Sequence, residues 1–409
     1  LAVLGTVTNT HKLELFYKGE CVCSIDMEFL HGGIPRLHKK ARYTLKKEKP
    51  VKLKEQPRYD EAVKALFGRL NIASKEWVVR QYDHEVQGGS VIKPFMHDGA
   101  PQDAAVVRPV LGGKKAVAIS NGINPFYADI DPYHMAALAI DEALRNVVAV
   151  GGSVDKTSIL DNFAWPSPDD PDNLGALVRT SRACYDYAVA FGVPFISGKD
   201  SLYNEYTVDG KRIMIPYTLL VSAMSVIDEA DKLVTAGYKK AGNLIYAIGL
   251  TRDELGSSEY ARMNKASGGK VPKVDARKAK KTFKKVHKAI KSGLLKSCHD
   301  ISDGGLAVAA AEMGFGTGLG CELFLKEVPY KGRKRDDYIL FSESASRFVV
   351  EVSPENKDAF EKLFKGTQIG LIGCVADHGR FIVRGLEDGV VVDCAVNDLK
   401  NNWRNALEN

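Results

Sequence analysis

The sequence predicts an α/β or α+β protein, because strand-like and helix-like apolar patterns alternate along most of the chain. The strand-like runs before residue 230 are 106–107, 116–119 and 219–226, and the helical runs are 134–150 and 172–192. At 409 residues the chain is too long for one ordinary hydrophobic core. A second domain is therefore expected to begin near residue 230, ahead of the strand-like run 244–250.

The composition is that of a soluble globular protein, with 45% apolar and 26% charged residues. No stretch of about 18 or more apolar residues is present, so no membrane-spanning helix is predicted. The seven cysteines are scattered, which favours a reduced, cytoplasmic protein over a disulfide-stabilised one. The net charge of +6 is mild and is compatible with anionic ligands or with none. The chain begins at Leu1, without a signal peptide or an initiator Met, so we expect a processed or truncated piece.

The two ends of the chain carry a similar pattern. Three predicted strands near the start, at 4–7, 12–16 and 20–25, recur in order and spacing at 372–375, 380–383 and 389–393. Such repetition predicts that the chain begins with the tail of a domain like the one at its end. The alternative is two unrelated β-meanders. Residues 31–57 carry Gly, Pro and nine Lys or Arg with little apolar periodicity, and are predicted to be a linker.

Two further segments are predicted to be helices. Residues 58–72 place apolar side chains on one face. The lysine-rich segment 273–296 has an apolar stripe with Lys on its other faces, and the stripe consists of Ala279, Phe283, Val286 and Ile290. Nucleic-acid binding through these lysines is one interpretation. Since no aromatic platform or known motif accompanies them, we prefer a solvated helix face.

A pair of polar residues in the helical run 134–150 indicates a metal site. Glu142 and Asn146 stand four residues apart, so a helix would place both on one face. Carboxylate and amide oxygens are ligands that suit Mg²⁺ held against phosphates. The glycine-containing segment 197–201, predicted to be a loop, would offer backbone N–H groups to a phosphate. Together they predict a site that handles ATP.

The segment 297–306 has two interpretations. Asp300, Ser302 and Asp303 stand just before a Gly pair and an alanine-rich helix at 306–313, so they could serve only as a helix cap and turn. Equally, two acids, His299 and a helix N-terminus in so short a stretch could complete a Mg²⁺–phosphate site.

These motifs, in this order, resemble those of a known enzyme family. They are YDHEVQGG at 82–89, DAAVVRP at 103–109, DEALRN at 141–146, SGKDSLYNE at 197–205, HDISDGG at 299–305 and FSESASRF at 341–348. The chain is similar to the C-terminal half of the synthetase subunit, in its small form, of phosphoribosylformylglycinamidine synthases. That family belongs to the aminoimidazole ribonucleotide synthetase-like superfamily, whose members pair an N-terminal with a C-terminal α/β domain.

The resemblance implies a domain plan and a reaction. Residues 1–57 would be the tail of a preceding C-terminal-type domain plus linker, 58–229 the N-terminal domain and 230–409 the C-terminal domain. The family is a carbon–nitrogen ligase of purine biosynthesis, which uses ATP and Mg²⁺ to amidate formylglycinamide ribonucleotide with ammonia from glutamine. Charge stabilisation of the transferring phosphoryl group and exclusion of water are what such chemistry requires.

The resemblance also implies roles for individual residues. In an auxiliary nucleotide site, Lys75 and Ser302 would contact the nucleotide, and the Mg²⁺ ligands would be Asp103, Glu142, Asn146 and Asp300. In an active site shared with the missing half, Asp161 and Gly198 would contact ATP and Ser201 the ribonucleotide. Residues 198–201 read Gly-Lys-Asp-Ser where small-form enzymes often have Gly-Asn-Val-Ser. Lys cannot ligate Mg²⁺, so either Asp200 takes the metal or Lys199 neutralises phosphate.

The expected partners follow from the same resemblance. They are the N-terminal half of the synthetase, a glutaminase subunit, a small accessory subunit and the ribonucleotide, with no nucleic acid and no membrane. The family's catalytic histidines have no counterpart, and His84 and His134 are interpreted as surface or interface residues. We therefore expect the isolated chain to be inactive and to self-pair as a homodimer. Alternatives are a non-catalytic structural half or another enzyme of the superfamily.

Overall fold

The computed structural model describes residues 1–83, 85–96 and 98–407. Their contacts divide the chain into two compact units, Leu1–Lys40 and Ala41–Asn409. Residues 41–57, predicted as part of a linker, pack on the second unit. There the N–H of Arg42 donates to the carbonyl of Pro171 at 2.8 Å, and Lys49 bridges to Gly269. No helix in the described part of the chain is long and apolar enough to cross a membrane.

The first unit is a hairpin followed by a short helix. Strands β1 (Lys12–Tyr17) and β2 (Glu20–Asp26) pair antiparallel, and α1 (Met27–Gly32) begins where the Asp26 carboxylate accepts hydrogen bonds from the N–H groups of Glu28 and Phe29. None of its residues is buried. The strand predicted at 4–7 does not form, because no strand of this unit pairs with it and an unpaired strand leaves its backbone groups without partners.

The second unit contains the remaining elements. Its strands are β3 (Ser90–Ile92), β4 (Phe95–Met96), β5 (Ala100–Pro101), β6 (Ala105–Val107), β7 (Ala116–Ile123), β8 (Thr157–Ala164), β9 (Phe195–Ser201), β10 (Glu205–Val208), β11 (Lys211–Met214), β12 (Thr218–Ile227), β13 (Leu244–Ile248), β14 (Thr251–Arg252), β15 (Ser297–Asp300), β16 (Gly320–Phe324), β17 (Tyr330–Lys331), β18 (Phe348–Val352), β19 (Ile369–Ala376), β20 (Arg380–Arg384) and β21 (Val390–Ala395). Its helices are α2 (Asp60–Phe67), α3 (Glu76–Val79), α4 (Pro132–Ala149), α5 (Pro171–Phe191), α6 (Glu259–Met263), α7 (Ala276–Lys291), α8 (Gly305–Glu312), α9 (Asp336–Phe341), α10 (Lys357–Phe364) and α11 (Val396–Asn405).

A six-stranded sheet is built from the earlier strands in the order β3-β6-β7-β12-β8-β9. Neighbouring strands run antiparallel except β8 and β9, which are parallel. Alternate side chains of β7 and β12 are buried beneath α4 and α5. The opposite face is apolar yet exposed, as at Ile119 (47% exposed) and Val226 (44% exposed).

A seven-stranded sheet follows, in the order β15-β18-β13-β19-β16-β20-β21. It is buried on both faces. Along β13, Ile245 and Ala247 pack with α2, α8 and α11, whereas Tyr246 and Ile248 pack into the core that α7 and α10 share with α4 and α5. A continuous apolar strand is the pattern expected for a sheet covered on both sides. The two sheets therefore enclose a common layer of helices.

The clearest helix predictions are confirmed. The runs 134–150 and 172–192 correspond to α4 and α5, and the lysine-rich segment gives α7, which begins after Asp275 caps it. The apolar stripe of α7 is buried, as predicted. The run 58–72 was too long, because α2 ends at Phe67 where Gly68 follows. The prediction of a loop at 197–201 is wrong: these residues belong to the edge strand β9, which gains its hydrogen bonds from β8.

The hairpin and helix of the first unit recur in the second. Strands β20 and β21 pair antiparallel and lead directly into α11, in the order of β1, β2 and α1. This similarity supports a common origin of the two ends, although the domain boundaries at 57 and 229 stay predictions.

Candidate nucleotide and metal site

Helix α4 carries four polar residues of the candidate site. The helix begins where the Asp131 carboxylate accepts a hydrogen bond from the N–H of Tyr133 at 2.9 Å. Residues four apart share a face, and the four residues form two such pairs: Asp141 with Arg145, and Glu142 with Asn146. The first pair is buried and faces β15, whereas the second lies against the end of β7.

Asp103 and Asp300 meet at the junction of the two sheets. Asp103 precedes β6, and Asp300 ends β15. The Oδ1 atom of Asp103 accepts the N–H of Asp300 at 2.9 Å and lies 2.8 Å from Nδ1 of His299. Its other oxygen, Oδ2, is buried and has no hydrogen-bond partner among the described residues. A buried carboxylate oxygen without a partner is costly, which marks this atom as one that awaits a ligand.

His299 links two carboxylates. Its Nδ1 faces Asp103 at 2.8 Å, and its Nε2 faces Glu312 at 3.0 Å. Ionised carboxylates only accept hydrogen bonds, so two of them favour the imidazolium form, in which both ring nitrogens donate. Burial lowers the pKa of His299, but the charges of Asp103 and Glu312 outweigh it and hold the pKa well above its ordinary value. With both nitrogens occupied, the ring fixes Asp103 and is not itself a free ligand.

Arg145 ties the sheets together beside this group. Its guanidinium contacts Asp300 at 3.1 Å and also pairs with Asp141, which accepts hydrogen bonds from the backbone and side chain of Ser346. Burial raises the pKa of Asp300, and the charge of Arg145 partly offsets this effect. The network holds Asp300 in place while leaving the local charge negative.

Glu142 and Asn146 are held by the end of β7. An oxygen of Glu142 accepts hydrogen bonds from the N–H of Ile123 at 2.9 Å and the amide of Asn124 at 2.7 Å. The amide of Asn146 donates to the carbonyl of Asn121 at 3.1 Å, which leaves its Oδ1 buried and without a partner among the described residues. Burial raises the pKa of Glu142 to about 7, helped by the charge of Asp300.

This donor set fits Mg²⁺. Two of the four predicted ligands, Asp103 and Asn146, each have a buried oxygen without a hydrogen-bond partner in the part of the chain that the structure describes. The other two, Glu142 and Asp300, are close enough for their charges to repel. All four offer hard oxygen donors, which Mg²⁺ prefers. A divalent cation would satisfy the orphaned oxygens and remove the repulsion together.

The two predicted nucleotide contacts, Lys75 and Ser302, lie near acids of the site. The Lys75 side chain folds back over the preceding residues, and its ammonium donates to the carbonyls of Leu70 at 2.6 Å and of Ala73. Partial burial lowers the pKa of Lys75. Ser302 Oγ stands 3.5 Å from Asp300. Of the alternative that the acids and Ser302 form only a cap and turn, the cap does not form, because Gly304 is the N-cap of α8 and no side chain caps this helix. The turn does form, since the N–H of Gly305 donates to the carbonyl of Ser302 at 2.9 Å.

The remaining predicted residues form a second group at the β8–β9 edge. Asp161 pairs in register with Gly198, and a Cβ on Gly198 would lie 2.2 Å from Oδ1 of Asp161. Burial raises the pKa of Asp161, and the charge of Asp200 adds to the effect. Lys199 contacts Ser201 on the other face of the strand. Three strand spacings separate β6 from β8, about 14 Å, so the structure places these residues apart from Asp103.

A second buried acid cluster lies next to Asp300. It consists of Asp303, a candidate from the sequence, and Glu343, which was not predicted as a site residue. Glu343 accepts the N–H groups of Gly304 at 2.8 Å and Glu259 at 2.9 Å, and it contacts the hydroxyl of Tyr127. Burial raises its pKa to about 7, and the pKa of Asp303 lies well above its ordinary value for the same reason. Both acids lie within motifs quoted above, which was the available signal.

The two unmatched histidines differ. His134 lies in the first turn of α4, half-buried, with its ring edge against Tyr133 at a centroid distance of 5.5 Å. Burial lowers the pKa of His134. His84 lies outside the described residues.

Two family models match the chain in succession. The model for the N-terminal domain of AIR synthase related protein matches residues 101–218, and the model for the C-terminal domain matches residues 240–385. Each match covers most strands of one of the two large sheets. The predicted pairing of two such domains is confirmed.

Relatives extend the match to the whole chain. The phosphoribosylformylglycinamidine synthase subunit PurL of Thermoplasma volcanium is 33% identical over 413 residues, which cover 100% of this chain and 52% of the relative. Among solved structures, T. maritima PurL complexed with FGAR has a TM-score of 0.63 at 19% identity, over 83% of this chain and 53% of that one. T. maritima PurL complexed with ATP has a TM-score of 0.55 at 20% identity, over 70% and 45%. The chain thus spans about half the length of the curated relatives it matches.

Proposed function

Because the chain belongs to the AIR synthase related proteins and matches a PurL subunit along its whole length, we propose that it is the C-terminal half of an ATP-dependent ligase. The reaction is amidation of formylglycinamide ribonucleotide to formylglycinamidine ribonucleotide, with ammonia from glutamine. In this proposal the chain binds ATP or ADP with Mg²⁺, and works in the cytoplasm.

The observation that carries the proposal is the pair of orphaned oxygens on Asp103 and Asn146. They belong to two different elements, and each lacks a partner among the described residues. Asp103 and Asp300 offer oxygens within 4.8 Å of each other, and Glu142 is close enough to Asp300 for their charges to interact. When bound, Mg²⁺ would neutralise this cluster and offer charge to nucleotide phosphates. Asp103, Glu142, Asn146 and Asp300 would hold the ion, while Lys75 and Ser302 would contact the nucleotide.

Isothermal titration of the chain with Mg·ADP tests the site. In Asp103→Asn, Oδ1 keeps its bonds to His299 and Asp300, but an amide N–H₂ replaces the orphaned oxygen and cannot ligate a cation. We expect this change to weaken Mg·ADP binding by at least about tenfold.

The matched control is Asp155→Asn, which removes a surface carboxylate paired with Lys284. It should bind Mg·ADP as the parent does. Unchanged binding by Asp103→Asn, or absence of binding by the parent, would refute the assignment.

In this proposal the residues at the β8–β9 edge form a part of the active site. Asp161 and Gly198 would contact ATP, and Ser201 the ribonucleotide, with Asp200 as a metal ligand in place of the Asn that relatives often carry. Lys199 already contacts Ser201, so it offers a charge to a phosphate beside it. The group lies at the exposed edge strand, which favours completion by residues of another domain.

We therefore expect no amidation by this chain alone with ammonia and ATP. Turnover should require the N-terminal half of a synthetase, and use of glutamine should require a glutaminase subunit and a small accessory subunit. Turnover by the isolated chain would contradict the proposal that essential groups are supplied elsewhere.

The exposed apolar face of the six-stranded sheet is proposed as the surface for that N-terminal half. In the isolated chain a second copy would take its place and give a homodimer.

Met224→Glu introduces a charge at the centre of this face, where Met224 is 39% exposed. It should yield a monomer in analytical ultracentrifugation with an unchanged melting temperature. Val189→Glu, on the exposed side of α5 (65% exposed), is the control. A monomeric parent would exclude the homodimer.

A further inference from the structure

A cavity of about 330 Å³ lies outside the group of proposed metal ligands, none of which lines it. It is bounded by the first turns of α7, the end of β13 and the loops before β18 and β19. Pockets of about this size hold small-molecule ligands in proteins. Its charged lining residues in the described part of the chain are Arg252, Lys273, Asp275, Lys278 and Lys281.

Positive charge in this cavity is only partly compensated. Lys273 pairs with Glu48 and Lys278 with Asp275, both at 2.9 Å. Among the described residues, the side chains of Arg252 and Lys281 form no ion pair or hydrogen bond. Glu254 lies close enough to sense the charge of Arg252 but is not paired with it. The one carboxylate among the described lining residues, that of Asp275, is paired with Lys278, so the two unpaired cations attract an anionic ligand.

Two further features add to the positive potential. The N-terminal end of α7, a helix of 16 residues, borders the cavity and carries the positive end of the helix dipole. Behind the cavity, Lys285 donates to the carbonyl of Lys365 at 2.9 Å and to Thr367 at 2.8 Å. Burial lowers the pKa of Lys285, and the nearby charge of Lys281 adds to this effect.

The lining also has an apolar part, beside polar side chains such as Thr282 and Gln368. Leu250, Ala279 and Ala345 contribute carbon surface next to the cations. Inorganic phosphate alone would leave this surface unused, whereas a phosphorylated small molecule would cover both parts. Arg and Lys are the side chains that bind phosphate groups in proteins.

We propose that this cavity binds a phosphorylated small metabolite, with its phosphate against Arg252 and Lys281 and its carbon part toward Leu250 and Ala279. The site differs in chemistry from the nucleotide site: it is basic and needs no metal. The cavity and the nucleotide site are connected through Ser346. This residue lines the cavity and donates to Asp141, the partner of Arg145.

Titration with inorganic pyrophosphate in buffer containing EDTA tests the proposal. Without a divalent cation, the carboxylates of the nucleotide site repel the probe, so binding there is silenced. We expect one saturable binding event, weakened about tenfold in Lys281→Ala and likewise in Arg252→Gln, because each removes a charged contact to phosphate.

Lys288→Ala is the matched control. Lys288 lies on the exposed side of the same helix, outside the cavity, and its loss changes the net charge equally. It should leave pyrophosphate binding unchanged. Equal weakening in all three variants would show diffuse attraction to a basic surface, and no saturable binding by the parent would show that the cavity is not an anion site. Either result overturns the proposal, and neither bears on Mg·ADP binding.

Discussion

At Asp103, two oxygens of one carboxylate have opposite surroundings. Oδ1 is satisfied by His299 and by the backbone of Asp300, whereas Oδ2 is buried without a described partner. A protein that only stabilised its core would gain by replacing such a group. The contacts of Oδ1 with His299 and Asp300 therefore fix the Asp103 carboxylate and leave Oδ2 available to a ligand.

The structure leaves no room for a side chain at Gly198. In Gly198→Ala, the new Cβ would lie 2.2 Å from Oδ1 of Asp161, so the carboxylate must move. We expect a destabilisation of about 1–3 kcal/mol, measured as a lower melting temperature. Gly389→Ala, where no atom lies within 4 Å, should be neutral. The double variant Asp161→Ala with Gly198→Ala should recover part of the loss; no recovery would place the strain elsewhere.

The predictability of site residues depended on sequence separation. Glu142 and Asn146 followed from helical spacing alone. The union of Asp103 with Asp300 was implied only by the family resemblance, because these residues are 197 positions apart. The roles of His299 and Arg145 were missed, since each depends on a partner far away in the sequence, Asp103 for His299 and Asp300 for Arg145.

Among the elements, α7 shows best what apolar periodicity predicts. Phe283 stacks on Phe191 of α5 at a centroid distance of 6.0 Å and meets the ring of Phe348 in β18 edge-on at 5.7 Å. One buried ring of α7 thus joins the helix layer to the seven-stranded sheet. The lysines that surround it are exposed or paired, as the pattern predicted.

Phe283→Ala should therefore destabilise the second unit by about 3–5 kcal/mol, since it leaves a cavity between three elements. The measurement is the melting temperature without ligand. Lys288→Ala on the same helix should change stability by less than about 0.5 kcal/mol. A small effect of Phe283→Ala would mean that the helix layer can collapse around the gap.

Elements whose partners are distant were predicted less well. Residues 195–201 contain Gly and polar residues typical of a loop, yet β8 provides backbone partners that make them a strand. The run 4–7 has strand-like composition but lacks such a partner. A local apolar pattern is enough to predict a helix, whereas a strand also needs a neighbouring strand to satisfy its backbone hydrogen bonds.

At the scale of the molecule, the buried acids make stability depend on pH. The folded-state pKa values of Glu142 and Glu343 are raised to about 7 by burial. A raised pKa contributes stability that is present at low pH and is lost as the pH rises through the folded value. Without a metal, the melting temperature should therefore fall between about pH 5 and about pH 8.

Mg·ADP should reverse this trend, because the metal binds the ionised acids and its binding releases protons. The increase in melting temperature on adding Mg·ADP should grow with pH over the same range. Scanning fluorimetry with EDTA or Mg·ADP at several pH values measures both effects. An increase that stays constant with pH would show that the acids do not ionise on binding.

The contact between the two sheets has a consequence for how such a chain can be divided. Three proposed ligands precede Ile227, and Asp300 follows Leu244, so a cut in the connecting segment would give two pieces, neither of which holds a complete set. Arg145 would likewise lose Asp300, and His299 would lose Asp103, across the cut. Gene duplication or engineering could therefore copy this site only by copying both domains together. The smallest unit that carries the whole site is the pair of domains.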